Sequence, residues 1–73
     1  MNHTVELLRL MVNGEAMEVS RGSTLAGLIA ELGLDTRKVA VERNREIVPR
    51  STYGVVLLDA RDELEIVHFI GGG

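Results

Sequence analysis

Hydrophobic and polar positions change their period twice along the chain, and the changes predict its elements. Val5 to Val12 alternates, with Leu8, Leu10 and Val12 on one face and Leu7, Arg9 and Met11 on the other. Asn13-Gly14 follows, a pair that accepts the positive φ of a two-residue hairpin turn. Glu15 to Ser20 returns as a second strand with Met17 and Val19 inward and Glu18 outward. After the Arg21-Gly22-Ser23 turn the period lengthens. Leu25, Leu28, Ile29 and Leu32 stand at i, i+3, i+4 and i+7, one face of a helix. Thr24 or Ser23 supplies the N-cap, and Gly33 stands where a left-handed residue closes a helix. Gly27 inside it costs about 1 kcal/mol against alanine, so this helix depends on docking.

Beyond the helix the period returns to two. Val39 to Arg43 predicts a third strand with Val39 and Val41 inward, and Arg43 to Glu46 is its turn. Ile47-Val48 starts a short return strand that Pro49, lacking an N–H, ends or confines to an edge. Arg50 to Tyr53 is a turn or one loop of 3₁₀ helix, and Val55 to Leu58 is a brief strand or a buried loop. Asp59 to Glu63 is a polar turn. Leu64 to Phe69 is the last strand, with Leu64 and Ile66 alternating against Glu63, Glu65 and Val67. One helix covers one face of such a sheet, so the expected architecture is a two-layer α+β sandwich. The uncovered face should be polar, which Leu7, Met11, Val67 and Phe69 contradict. Either these face the core after all, or an apolar patch is left for a partner.

Composition narrows the function classes. The 73 residues make one domain, without cysteine for a disulfide or a thiolate metal site. His3 and His68 lack ligand spacing, so no metal is expected. With 45% hydrophobic residues the domain stands on packing and backbone pairing. Tyr53 and Phe69 are the only aromatics and the net charge is -3, which argues against nucleic acid, since that needs stacking faces and a basic surface. The start has the pattern of neither a signal peptide nor a membrane span, so a cytoplasmic location without membrane contact is expected.

The segments "VNGE" (12–15), "STLAGLIAELGL" (23–34), "VAVERN" (39–44), "IVPRS" (47–51) and "DELEIVHF" (62–69), followed by three glycines, occur in an order that resembles the ubiquitin-like β-grasp fold. More narrowly it resembles the ThiS family, the sulfur carriers of thiamine biosynthesis. The resemblance covers roughly positions 8 to 73 and implies a mixed four- to five-stranded sheet with one helix packed on one face. Residues 1–70 would form the β-grasp domain and 71–73 a flexible glycine tail. Three positions depart from the family pattern. Arg45 and Arg61 stand where glycine is usual, which would place each at positive φ at a cost of about 1 kcal/mol. Gly27 replaces the acidic residue of a capping box.

A terminal glycine carboxylate has no side chain beside it and can enter a narrow cleft. At pH 7 it is an anion, able to attack the α-phosphorus of ATP and form an acyl-adenylate. A sulfur nucleophile can then convert that anhydride to a thiocarboxylate. The resemblance implies this cycle, with Gly73 as the modified residue and Gly71 and Gly72 as the tail that partner active sites require. It implies three partners: a ThiF-type adenylating enzyme, thiazole synthase as acceptor, and a cysteine desulfurase or other sulfur donor. ATP and Mg²⁺ would be used by the adenylating enzyme, and the chain itself would bind no cofactor and catalyse nothing. Val67 and Phe69 are either partner-facing anchors or ordinary core. His68 is assigned no chemistry. Arg43, Arg45 and Arg50 could meet an acidic partner or sit in solvated turns. Asp59, Asp62, Glu63 and Glu65 could dock a basic rim or hold a cation, with plain solvation the expectation. Two other functions fit the same fold: the small subunit of molybdopterin synthase, disfavoured because no proline precedes the glycines, and a ubiquitin-like interaction module that carries nothing.

Overall fold

The computed structural model describes residues 6–69. Gly71, Gly72 and Gly73 lie outside the described residues, and so does the expectation of a flexible tail. Five strands and one α-helix follow in the order β1 (Leu7–Val12), β2 (Glu15–Ser20), α1 (Leu25–Glu31), β3 (Val39–Arg43), β4 (Glu46–Ile47) and β5 (Glu63–His68). Short 3₁₀ turns at Thr36–Lys38 and Arg50–Thr52 flank β3 and β4. The sheet order is β2-β1-β5-β3-β4. β1 and β5 run parallel, and the other three pairings are antiparallel. The sheet is therefore mixed and has five strands. Its first and last strands in sequence lie side by side near its centre.

The alternation expected of the strands is present. Leu8, Leu10, Val19, Val39, Val41, Leu64 and Ile66 are buried on one face of the sheet. Leu25, Leu28 and Ile29 press into that face from α1, and Tyr53 and Leu58 close the ends of the core. Leu32 departs from its expected core place: it is the C-cap of α1 and 38% exposed. The helix is one turn shorter in its packed face than its spacing suggested, because the chain leaves the helical path there.

A seven-residue helix is marginal alone, and α1 survives because its ends are satisfied. Thr24 is the N-cap, and its Oγ1 accepts the Gly27 N–H at 3.1 Å. The Leu25 and Ala26 N–H groups donate to the carbonyls of Val56 and Tyr53, each at 2.9 Å. Three of the four orphan donors at this end are thus paired. At the other end Gly33 takes φ 76°. Its N–H donates to the Ala30 carbonyl and the Leu34 N–H to the Ile29 carbonyl, the two bonds of a Schellman closure.

Val55 to Leu58 is neither a strand nor a buried loop. Only Leu58 is buried, while Val55 is 76% and Leu57 59% exposed. A single bridge from Leu57 to Thr24 is its only ladder contact among the described residues. The short return strand is Glu46–Ile47, one residue earlier than expected. Val48 then donates its N–H to the Val41 carbonyl at 2.9 Å, after which Pro49 ends the ladder.

Candidate functional site

The glycines follow β5, so the candidate site is built from what holds β5 and what its far end exposes. Two asparagines clamp the strand, one at each end, and each comes from a hairpin turn. Asn44 and Arg45 take φ 52° and 72° between β3 and β4. From there the Asn44 N–H donates to the Glu63 carbonyl at 2.8 Å, and its Oδ1 accepts the Glu63 N–H at 3.0 Å. Asn13 and Gly14 take φ 51° and 82° between β1 and β2. The Asn13 Oδ1 accepts the Ile66 N–H at 2.8 Å, and its Nδ2 donates to the Ile66 carbonyl at 3.2 Å. Asn-Gly in the sequence signalled the hairpin. Nothing local signalled that the Asn13 side chain reaches 53 positions along the chain.

The entry to β5 is locked by a carboxylate that sequence reasoning grouped with solvated ones. Asp62 is 4% exposed. Its Oδ2 accepts from Arg43 Nε at 3.0 Å and from the Asp59 N–H at 2.9 Å, and its Oδ1 accepts from Asn44 Nδ2 at 3.2 Å. Arg43 Nη2 completes the ion pair at 2.9 Å. Arg43 is thus half-buried on Asp62, in neither a solvated turn nor a partner-facing patch. Arg50 is exposed, but its Nη2 donates to the Val39 carbonyl at 3.1 Å, which also accepts from the Tyr53 hydroxyl at 3.3 Å. Arg45 remains exposed in its turn. Of the expected acidic cluster, Asp59, Glu63 and Glu65 are exposed and Asp62 alone is withdrawn into the fold.

At the exit of β5 the two apolar candidates stand in the open. Val67 is 58% and Phe69 46% exposed. Val67 pairs with the half-buried Ala40 on the sheet face away from α1. The Phe69 N–H donates to the Lys38 carbonyl at 2.8 Å, the last backbone bond of the sheet among the described residues. Ile47, 80% exposed, joins the same face opposite Glu42. Its face was unreadable in the sequence because a two-residue strand shows no period. Leu7 is also exposed at 55%. However, the β1–β5 register puts it about 26 Å along the sheet from Val67. Met11 is half-buried. The apolar patch is therefore local to the end from which the glycines leave. His68 is exposed and makes no side-chain hydrogen bond among the described residues. No cluster among the described residues has the make-up of a metal site.

A mixed five-stranded sheet with one helix on one face, and the first and last strands parallel at its centre, defines a ubiquitin-like β-grasp domain. A crystal structure of a ThiS protein from Geobacter metallireducens superposes with a TM-score of 0.72 at 28% identity, covering 90% of this chain and 100% of that one. The ThiS family model matches residues 10–73. The sulfur carrier protein ThiS of Bacillus subtilis is 42% identical over 65 residues, 88% of this chain and 98% of that protein. The chain belongs to the ThiS family. A thiazole synthase of Paramagnetospirillum magneticum is 54% identical over 66 residues, 90% of this chain. The chain spans only 20% of the length of that synthase.

Proposed function

We propose that this chain is a sulfur carrier of thiamine biosynthesis that bears sulfur on the carboxylate of Gly73. The observation that carries the reading is that the family match runs through the last strand and on through Gly71, Gly72 and Gly73. The Gly73 carboxylate attacks the α-phosphorus of ATP in an adenylating partner of the ThiF type, and pyrophosphate leaves. A sulfide-level nucleophile then attacks the acyl carbon and AMP leaves; where a desulfurase presents the sulfur as a persulfide, the acyl disulfide so formed is cleaved by a thiol reductant. The resulting thiocarboxylate delivers its sulfur to thiazole synthase. The match to a thiazole synthase favours this acceptor over molybdopterin synthesis. ATP and Mg²⁺ belong to the partner, and the chain is a cytoplasmic co-substrate rather than an enzyme. Val67 and Phe69, exposed beside the exit of β5, support docking at that end.

The test is mass spectrometry of the intact chain after incubation with an adenylating enzyme, ATP, Mg²⁺ and a sulfur donor. The expected product gains the mass of one sulfur and loses that of one oxygen. Deleting Gly73, or adding one residue after it, abolishes the shift without changing the circular dichroism of the fold. Sulfur accepted by the extended chain would place the modification elsewhere.

A further inference from the structure

The proposed chemistry uses residues beyond Phe69, and where that segment begins is set by a side chain from the first hairpin. β1 ends at Val12, opposite Leu64, but β5 continues to His68. No β1 backbone remains to pair with Ile66 on that edge. The Asn13 amide stands in for it, accepting the Ile66 N–H and donating to the Ile66 carbonyl. A primary amide presents one acceptor and one donor side by side, as a peptide group does in a β-ladder. On the other edge β5 pairs with β3 through Ala40 opposite Val67 and Val39 opposite His68. Ile66 is therefore the last residue of β5 held on the β1 edge among the described residues, and beyond it the strand is held only on its other edge, by Ala40, Val39 and Lys38.

We propose that Asn13 is a positioning residue for sulfur loading, pinning β5 at Ile66 and so setting where the segment offered to the adenylating enzyme begins. The inference rests on the sulfur-carrier reading above. Without the amide, the end of β5 hangs on a single edge and residues 67–69 peel more readily from β3. The partner must then order those residues as well, and every residue ordered on binding costs conformational entropy. A longer tether also dilutes the carboxylate at the active site. Acting through β5 alone, Asn13 affects the KM for the chain and not kcat of the saturated complex.

Asn13→Gly and Asn13→Asp test this, since Gly-Gly and Asp-Gly both suit a turn with two positive φ values. Gly removes both hydrogen bonds and Asp keeps only the acceptor. Amide hydrogen exchange and ATP–pyrophosphate exchange by a ThiF-type enzyme are measured on each chain. Asn13→Gly is expected to keep the wild-type circular dichroism. Its Ile66 and Phe69 amides should exchange about tenfold faster, and its KM should rise about tenfold, with kcat within about twofold. Asn13→Asp should fall between it and wild type. An Ile66 amide as protected in Asn13→Gly as in wild type overturns the pinning. Faster exchange with an unchanged KM reduces Asn13 to a structural residue and overturns the positioning role. If the unsubstituted chain takes no adenylate, the carrier reading itself falls, and this role falls with it.

Discussion

Arg45 and Arg61 hold φ values of 72° and 70°, a region in which a side chain crowds the following carbonyl. Arg45 is the second central residue of a two-residue hairpin loop, where glycine is strongly preferred. Its exposed side chain forms no ion pair among the described residues. Arg45→Gly and Arg61→Gly should therefore each raise stability. Relief of strain exceeds the entropy that glycine adds to the unfolded chain, leaving a gain of about 0.5–1 kcal/mol. Urea unfolding of each variant measures this, and an unchanged or lower midpoint would contradict it. Both strained positions were expected from the family pattern, in which glycine is usual at each. The burial of Asp62 was not. Its neighbours Arg61 and Glu63 are exposed, so the local pattern is that of a solvated turn. The groups that make its burial tolerable, Arg43 and Asn44, arrive from another hairpin. A buried carboxylate with four donors is a tertiary fact that no local window contains.

Short elements survive here on their caps. The 3₁₀ turn Thr36–Lys38 is capped by Asp35, whose Oδ1 accepts the Arg37 N–H at 2.8 Å and Arg37 Nε at 3.1 Å. The Arg37 side chain first, and its backbone N–H second, hold the Asp35 carboxyl down at about 2. A carboxyl lowered in the folded state stabilises the fold when ionised. That contribution is complete above about pH 4 and disappears as pH falls toward 2. Urea midpoints of wild type and Asp35→Asn should therefore differ at pH 6 and converge between pH 4 and 2. A constant difference across that range would mean that Asp35 acts without its charge. The ends of α1 were legible from Thr24 and Gly33, since caps are local chemistry. Its packed length was not, because Leu32 fits the helical period yet occupies the C-cap. Val55 and Leu57 show the same limit: an apolar run predicts burial only if a neighbouring strand is there to cover it.

Across the whole molecule, the open sheet face divides into an apolar end at Val67, Phe69 and Ile47 and a remote Leu7. Replacing Val67 and Phe69 together with serine should cost under about 1 kcal/mol of stability, since both side chains are exposed. The same change should weaken binding to the adenylating enzyme by about tenfold or more, measured by calorimetry. Leu7→Ser is the control and should leave affinity unchanged. Equal losses from both would mean that docking is not confined to the exit of β5. The sequence flagged Val67 and Phe69 but left them balanced between core and surface. Strand order decided it, and order depends on which edges pair, which periodicity does not encode. The placement of β5 between β1 and β3 has a consequence for synthesis. Until residues 63–68 leave the ribosome, the chain holds two hairpins with no backbone bond bridging them in the finished sheet. Such hairpins are marginal in water. A chain that ends before β5 therefore lacks the strand that joins its two hairpins into one sheet.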